Sequence, residues 1–178
     1  MKLMLEVIRA SLDDSETIAQ CARNAYSDEI RKFANKNVDS EHPTADAVRF
    51  HIKHHVYYKI MLDNNIIGGV FIVEADAQTV SIEEFCIDPL HQNKGYGKFV
   101  LTELERIHNQ TKKWLLTTPV YSVRNQHLYE KHGYERVKVD DYGGTLCVYY
   151  EKSIVLQGAA SGETTKYNFK SGTNFYTG

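Results

Sequence analysis

Residues 81–98, SIEEFCIDPLHQNKGYGK, constrain the fold more than any other stretch of the chain. They begin as a buried strand that ends at Asp88-Pro89, and a Gln-x-x-Gly-x-Gly turn then leads into a long helix. Gly95 and Gly97 have no Cβ, so the backbone N–H groups from Asn93 to Lys98 can approach an anion closely. The helix dipole and the two lysines of the turn also favour negative charge there. The turn is therefore predicted to bind phosphate.

Two common phosphate-binding motifs do not match this turn. A P-loop requires Gly-x-x-x-x-Gly-Lys-Ser/Thr, which the chain lacks. A dinucleotide-binding turn requires a third glycine, and the chain has Val100 at that position. For an isolated Gly-x-Gly pair, a tight strand-to-helix turn without a ligand is the alternative interpretation.

Composition and charge exclude several other classes of protein. With 178 residues, 42% of them hydrophobic and 25% charged, the chain has the character of one soluble globular domain. The net charge of −2 and the lack of a basic block predict no nucleic-acid partner. No apolar run has the length of a membrane span, and the N-terminus has no signal-peptide core, so we expect a cytoplasmic protein without a membrane partner. Three scattered cysteines at 21, 86 and 147 have no metal-ligand spacing, and no metal is expected.

Hydrophobic periodicity and turn residues predict the element order β-α-α-β-β-β-α-β-α-β-β. Asp63-Asn64-Asn65 is typical of a tight hairpin turn, and Gly133 is expected to end the last helix. Strands are predicted at 5–9, 56–62, 66–73, 79–87, 114–120, 134–139 and 146–152, and helices at 11–26, from Thr44 onward, at 95–108 and at 125–132. Residues 28–42 are polar and stay unassigned.

A second motif makes the pattern specific. Residues 127–134, HLYEKHGY, follow the glycine turn by about thirty-five residues. The two motifs, in this order and at this spacing, resemble those of the GNAT superfamily of N-acetyltransferases, and the resemblance extends over residues 5–154. It implies an α/β (α+β) fold with a mixed, mostly antiparallel central sheet of about seven strands flanked by helices. We expect one N-acetyltransferase domain over residues 1–154 and a C-terminal tail at 155–178. A hairpin docked on its own domain or on a second subunit is one interpretation of the tail, and a disordered terminus is the alternative.

The resemblance also implies acetyl-CoA as co-substrate. Its diphosphate is expected on the glycine turn and its pantetheine arm beside the preceding strand, in a slot opened by a splay from the strand at 114–120. Ser122 stands where many similar proteins have asparagine, and Asn125 is expected to take over that contact with the pantetheine. The expected cofactor-binding residues are Phe85, Cys86, Ile87, Gln92, Asn93, Lys94, Gly95, Tyr96, Gly97, Lys98 and Asn125.

Three residues are the catalytic candidates. Tyr129 occupies the motif position at which similar enzymes use tyrosine to protonate the departing thiolate; the alternative is a packing tyrosine, since the chain has twelve. Glu83 and Glu84 are the candidates for the base or for a ligand of the amine. Because side chains alternate along a strand, Glu83 is expected to share a face with Phe85 and Ile87. A salt-bridged glutamate, or a water chain in place of a base, is the alternative.

These features predict direct transfer of an acetyl group from acetyl-CoA to a primary amine of a small molecule. Acetylation of a protein or peptide amine, a non-catalytic acyl-CoA sensor and an interaction module organised by the tail are the alternatives. The acceptor site is expected at residues 28–44 and the final hairpin. A homodimer is expected from the resemblance.

Overall fold

The computed structural model describes residues 3–33 and 43–154, so the predicted tail at 155–178 lies outside the described residues. Within these ranges the chain forms seven strands and four helices, in the predicted order. They are β1 (Leu5–Arg9), α1 (Ser15–Phe33), α2 (Ala45–His54), β2 (Val56–Leu62), β3 (Asn65–Asp76), β4 (Thr79–Ile87), α3 (Tyr96–Ile107), β5 (Lys113–Pro119), α4 (Val123–Lys131), β6 (Glu135–Tyr142) and β7 (Thr145–Ser153).

All seven strands form one sheet in the order β1-β2-β3-β4-β5-β7-β6. Only the β4–β5 pair is parallel, and the other neighbours are antiparallel. Asp63 and Asn64 have φ angles of 47° and 69°, the left-handed values that a tight hairpin between β2 and β3 requires. The predicted fold class, a mixed and mostly antiparallel sheet with flanking helices, is confirmed.

Helices cover both faces of the sheet. On one face, Val100, Leu101 and Leu104 of α3 belong to the largest hydrophobic cluster, which also contains Tyr129 of α4. On the other face, Ile18 of α1 packs with α2 and with side chains of β2 and β3. No helix within the described ranges combines the length and the apolar character that crossing a bilayer requires.

Helix α1 lies very close to the sheet at Gly69 of β3. A Cβ at this position would lie 2.8 Å from Ile18 Cγ2 and 2.9 Å from Tyr57 Cε1. Ile18 and Tyr57 are both fully buried and have no free space to move into. Glycine at position 69 therefore allows α1 to pack closely on β2 and β3.

Helix α1 is longer than predicted, ending at Phe33 rather than near Tyr26. Asp28 accepts ion pairs from Arg31 and Lys32, each at 2.7 Å, and basic residues in the last turn also stabilise a helix C-terminus. Residues 28–33 were left unassigned because they are polar. In the structure these polar residues form ion pairs along the last turns of α1. The bounds of β1, β2 and β4 agree with the prediction.

The simple alternation expected along β4 is wrong at Glu83. Phe71 of β3 pairs with Glu84, and the next residue, Ile72, pairs with Ile82, so Glu83 is an extra residue in a β-bulge. Phe85 and Ile87 pack on the large cluster, whereas Glu83 is exposed. A bulge depends on pairing with the neighbouring strand, and a period-two pattern in one strand does not reveal it.

Candidate active site

The glycine turn between β4 and α3 has the backbone geometry of an anion-binding site. Gly95 and Asn93 have left-handed φ angles of 82° and 59°, and α3 begins directly after them. Within the described ranges, none of the N–H groups from Asn93 to Lys98 has a hydrogen-bond acceptor of good geometry. Free N–H groups at a helix N-terminus bind phosphate oxygens well.

Side-chain hydrogen bonds attach this turn to its surroundings. Asp88 accepts from the Leu90 backbone N–H at 3.0 Å and from Asn24 Nδ2 of α1 at 2.7 Å. Gln92 Nε2 donates to the Ile87 carbonyl at 2.7 Å, and the Arg124 guanidinium donates to Gln92 Oε1. Gln92 therefore links the end of β4, the turn and the start of α4.

Gly97 brings α4 close to the turn. A Cβ on Gly97 would lie 2.9 Å from Leu128 Cδ2 of α4, whereas a Cβ on Gly95 would meet nothing within 4 Å. The two glycines thus have different roles. Gly95 adopts the left-handed backbone conformation of the turn, whereas Gly97 allows α4 to approach the turn closely. This arrangement fits the diphosphate of acetyl-CoA, with Asn93 to Lys98 as its backbone donors.

Strands β4 and β5 separate where the predicted slot should lie. Their parallel pairing joins Thr79–Ile82 to Lys113–Leu116 and does not extend to the last residues of either strand. A cavity of about 570 Å³ lies beside the end of β4, between α1, the glycine turn and α4. It is lined by Ala25, Tyr26, Glu29, Phe85, Cys86, Ile87, His91, Gln92, Asn93, Gly95, Tyr96, Gly97, Lys98, Arg124, Asn125, His127, Leu128, Lys131 and His132.

The structure brings together all but one of the expected cofactor-binding residues. Phe85, Cys86 and Ile87 line one wall of the cavity, the turn lines another, and Asn125 contributes from α4. Lys94 does not line the cavity, and its Nζ donates to the Leu90 carbonyl at 3.0 Å. The cationic side chains on the cavity wall, Lys98, Arg124 and Lys131, suit a polyanionic ligand.

Tyr129 is buried on α4 in an aromatic cluster; it is not one of the residues that line the cavity, although the adjacent Leu128 is. Its ring lies 5.9 Å from that of Tyr134 and 6.1 Å from that of Tyr150, and it is 5% exposed. Its hydroxyl has no hydrogen-bond partner of good geometry among the described residues. Burial, followed by the nearby charge of Glu29, raises the pKa of Tyr129 far above its usual range. The hydroxyl thus keeps its proton at neutral pH and can act as an acid.

The two candidate bases occupy different environments. Glu84 is buried and accepts a hydrogen bond of 2.6 Å from the Tyr57 hydroxyl. Burial raises the pKa of Glu84, and the bond from Tyr57 offsets this in part. Glu83 is exposed at the bulge and lies close enough to β6 for its charge to raise the pKa of Tyr142, after the larger effect of that tyrosine's burial. Neither carboxylate lines the cavity.

Sequence reasoning missed Glu29, an acidic residue that does line the cavity. Glu29 is 6% exposed on α1, and Arg124 of α4 lies 3.8 Å from its Oε1. A signal existed in the sequence: Ile18, Ala22, Ala25 and Glu29 follow at helical spacing, so the glutamate continues the buried face. It falls in the region from residue 28 onward where the acceptor site was expected.

Comparison with protein families agrees with this geometry. The sequence model of the Acetyltransferase (GNAT) family matches residues 22–134, which include both motifs. The chain belongs to the GNAT family of acetyltransferases. No curated protein matches the chain.

Solved structures of GNAT-type enzymes share the fold. An acetyltransferase from Thermus thermophilus has a TM-score of 0.69 at 15% identity, covering 85% of this chain and 97% of its own. The PaiA N-acetyltransferase from Thermoplasma acidophilum, in complex with coenzyme A, has a TM-score of 0.65 at 18% identity, with coverage of 85% and 99%. A GNAT acetyltransferase from Streptococcus pneumoniae has a TM-score of 0.63 at 18% identity, with coverage of 85% and 100%.

Family membership makes this GNAT protein an acetyl-CoA-dependent acetyltransferase. When bound, acetyl-CoA supplies the acetyl thioester, and the glycine turn with the cavity beside it fits the cofactor. Across residues 3–33 and 43–154, no three His, Cys, Asp or Glu side chains are grouped as a metal ion would require.

Proposed function

We propose that this GNAT enzyme acetylates a primary amine of a small molecule by direct transfer from acetyl-CoA. One observation carries the proposal: α4, the helix that holds the buried Tyr129, lines a cavity that ends in an anion-binding turn. Direct transfer requires a bound thioester and an acid for the departing thiolate, and it requires no nucleophilic side chain.

Each part of the reaction has a residue of this chain to perform it. The N–H groups of Asn93 to Lys98 bind the diphosphate, and an N–H near Ile87 donates to the carbonyl oxygen as negative charge develops there. The acceptor ammonium first loses one proton to water, and the neutral amine nitrogen then attacks the thioester carbonyl carbon as the C–S bond breaks. Tyr129 donates its proton to the departing sulfur, while Glu83, directly or through water, accepts the proton that the attacking nitrogen loses.

Glu83 is a better base than Glu84 in this scheme. Glu84 is buried, is hydrogen-bonded to the Tyr57 hydroxyl and does not line the cavity, so neither bulk water nor a bound amine has access to its carboxylate. Glu83 is exposed, and the β-bulge turns it out of the packed face of β4. An exposed carboxylate can exchange protons with bulk water after each turnover.

The acidic groups favour a cationic small amine as the acceptor. Glu29 lies on the cavity wall, and Glu83 is exposed at the bulge in the strand that forms that wall. A small ammonium can enter the cavity beside Glu29. A protein amine is the alternative acceptor, and a lysine peptide tests it directly.

The first prediction concerns the acid. Tyr129→Phe removes only the hydroxyl, so kcat should fall about 10²–10⁴-fold, the usual contribution of a general acid, while the Kd for CoA stays unchanged. The rate is measured as thiol release from acetyl-CoA, and the affinity by calorimetric titration with CoA.

Tyr150→Phe is the matched control for this experiment. Tyr150 belongs to the same aromatic cluster, but its hydroxyl donates to Glu130 at 2.7 Å. It should keep wild-type kcat. If Tyr129→Phe also keeps wild-type kcat, or if both variants lose activity equally, Tyr129 is a packing residue and not the acid.

A further inference from the structure

We propose that Glu29 of α1 binds the ammonium group of the acceptor and makes the enzyme selective for cationic amines over neutral ones. This inference rests on the proposed function, because it names the group that recognises the acceptor. Glu29 does not belong to either sequence motif; its place on the cavity wall points to this role.

The position of Glu29 in the helix is unusual for a charged residue. Ile18, Ala22 and Ala25 form the buried face of α1, and Glu29 occupies the next position of the same face. A glutamate at a buried position needs a compensating partner, since removing a carboxylate from water is costly. At this position the helix passes the end of β4, and Glu29 is one of the residues that line the cavity.

The protein leaves the Glu29 carboxylate incompletely paired. Its side chain is 8% exposed, and Oε1 has no hydrogen-bond partner within the described residues. Arg124 is the nearest cation, but at 3.8 Å it is beyond hydrogen-bond distance, and it donates to Gln92 instead. A carboxylate on a cavity wall that is incompletely hydrogen-bonded can accept a donor from a bound ligand.

The electrostatics agree with this geometry. Burial raises the pKa of Glu29, and the neighbouring Ser122 hydroxyl and Arg124 guanidinium offset that rise only in part. An added cation would therefore stabilise the ionised carboxylate. A primary ammonium fits this need, since it carries both a charge and three N–H donors.

Glu29 is also close to the proposed acid. Its charge contributes, after burial, to the raised pKa of Tyr129 on α4. Glu29 of α1 and Leu128 of α4, the residue next to Tyr129, both line the cavity. The cavity wall thus joins the proposed ammonium-binding residue to the helix that holds the proposed acid.

The test compares Glu29→Gln with wild type on two acceptors: a linear alkyl diamine, which is cationic at pH 7.5, and an arylamine, which is neutral there. Loss of a charge-assisted hydrogen bond predicts a rise in KM for the diamine of about tenfold to hundredfold. The KM for the arylamine and the Kd for CoA should stay unchanged. Glu29→Asp, which keeps the charge but is shorter, should give an intermediate KM for the diamine.

Glu16→Gln is the matched control, because Glu16 lies on the exposed face of the same helix and pairs with Arg23 at 2.7 Å. It should leave both KM values unchanged. Equal changes for both acceptors in Glu29→Gln, or no change for either, would overturn the inference while leaving the proposed function intact. A wild-type enzyme that turns over neither acceptor, nor any other small amine, would overturn both.

Discussion

The Glu84 carboxyl and the Tyr57 hydroxyl form a buried polar pair between α1 and the sheet. Burial raises the pKa of Glu84, so the folded state favours its protonated form more than the unfolded state does. Such a group contributes stability that is fully present below its unfolded pKa. The contribution is lost as pH rises toward the folded pKa.

This pair gives a prediction for stability against pH. Gln at position 84 cannot ionise, so the free energy of unfolding of Glu84→Gln, relative to wild type, should rise as pH increases from about 4.5 to 8. Each unit by which folding raises the carboxyl pKa contributes about 1.4 kcal/mol to this rise. Urea unfolding of both proteins at several pH values measures it. If the difference in the free energy of unfolding between the two proteins is the same at every pH, then folding does not raise the pKa of Glu84.

At the residue scale, the sequence predicted the residues of the glycine turn better than it predicted the burial and contacts of the acidic side chains. The turn residues around Gly95 could be predicted because backbone geometry and charge are local properties. The separation of Glu83 from Glu84 could not, because it depends on a bulge in pairing with β3. Glu29 was missed because a polar residue on the buried face of a helix is recognised only when the helix is known to continue.

At the scale of elements, the contact between α1 and β3 at Gly69 controls how the helix sits on the sheet. Gly69→Ala should lower the free energy of unfolding by about 1–3 kcal/mol, because the new methyl would overlap Ile18 and Tyr57, which are both buried. Urea unfolding measures the loss.

The double variant Gly69→Ala with Ile18→Ala provides the control. If the overlap with Ile18 is the cause, the double variant should be more stable than the sum of the two single effects predicts. Strictly additive effects, or a Gly69→Ala variant as stable as wild type, would contradict this account of the packing.

The order and type of the elements could be predicted because strand alternation and helix periodicity are strong in this chain. Strand β4 illustrates both the success and its limit: its bounds were correct, but its side-chain alternation was not. The separation of β4 from β5 was expected only through the resemblance to GNAT enzymes. Periodicity within a strand contains no information about where its neighbour diverges.

At the scale of the whole molecule, the last described strand completes the sheet. β7 ends at Ser153 and lies between β5 and β6, so all seven strands of the described sheet come before residue 154. A chain that stops at residue 154 should therefore keep its CoA affinity and its thermal midpoint. Calorimetric titration and thermal unfolding of this variant test the domain boundary. A large loss of CoA affinity would place part of the site in residues 155–178.

The same variant also addresses the expected homodimer, which stays a prediction. Light scattering on both lengths of chain gives their masses. A dimer that becomes a monomer on truncation would assign assembly to the tail, whereas a monomer at both lengths would show that the homodimer prediction is wrong.

The most direct test of the central claim measures acetyl transfer itself. The wild-type protein is incubated with acetyl-CoA and a panel of alkyl diamines, amino sugars, amino acids and a lysine peptide. Thiol release and product mass are then followed together. The account predicts that one class of small amine gains an acetyl group at a rate matching thiol release, and that Tyr129→Phe removes most of both signals. Tight CoA binding without an acetylated product, or acetylation of the peptide alone, would contradict it.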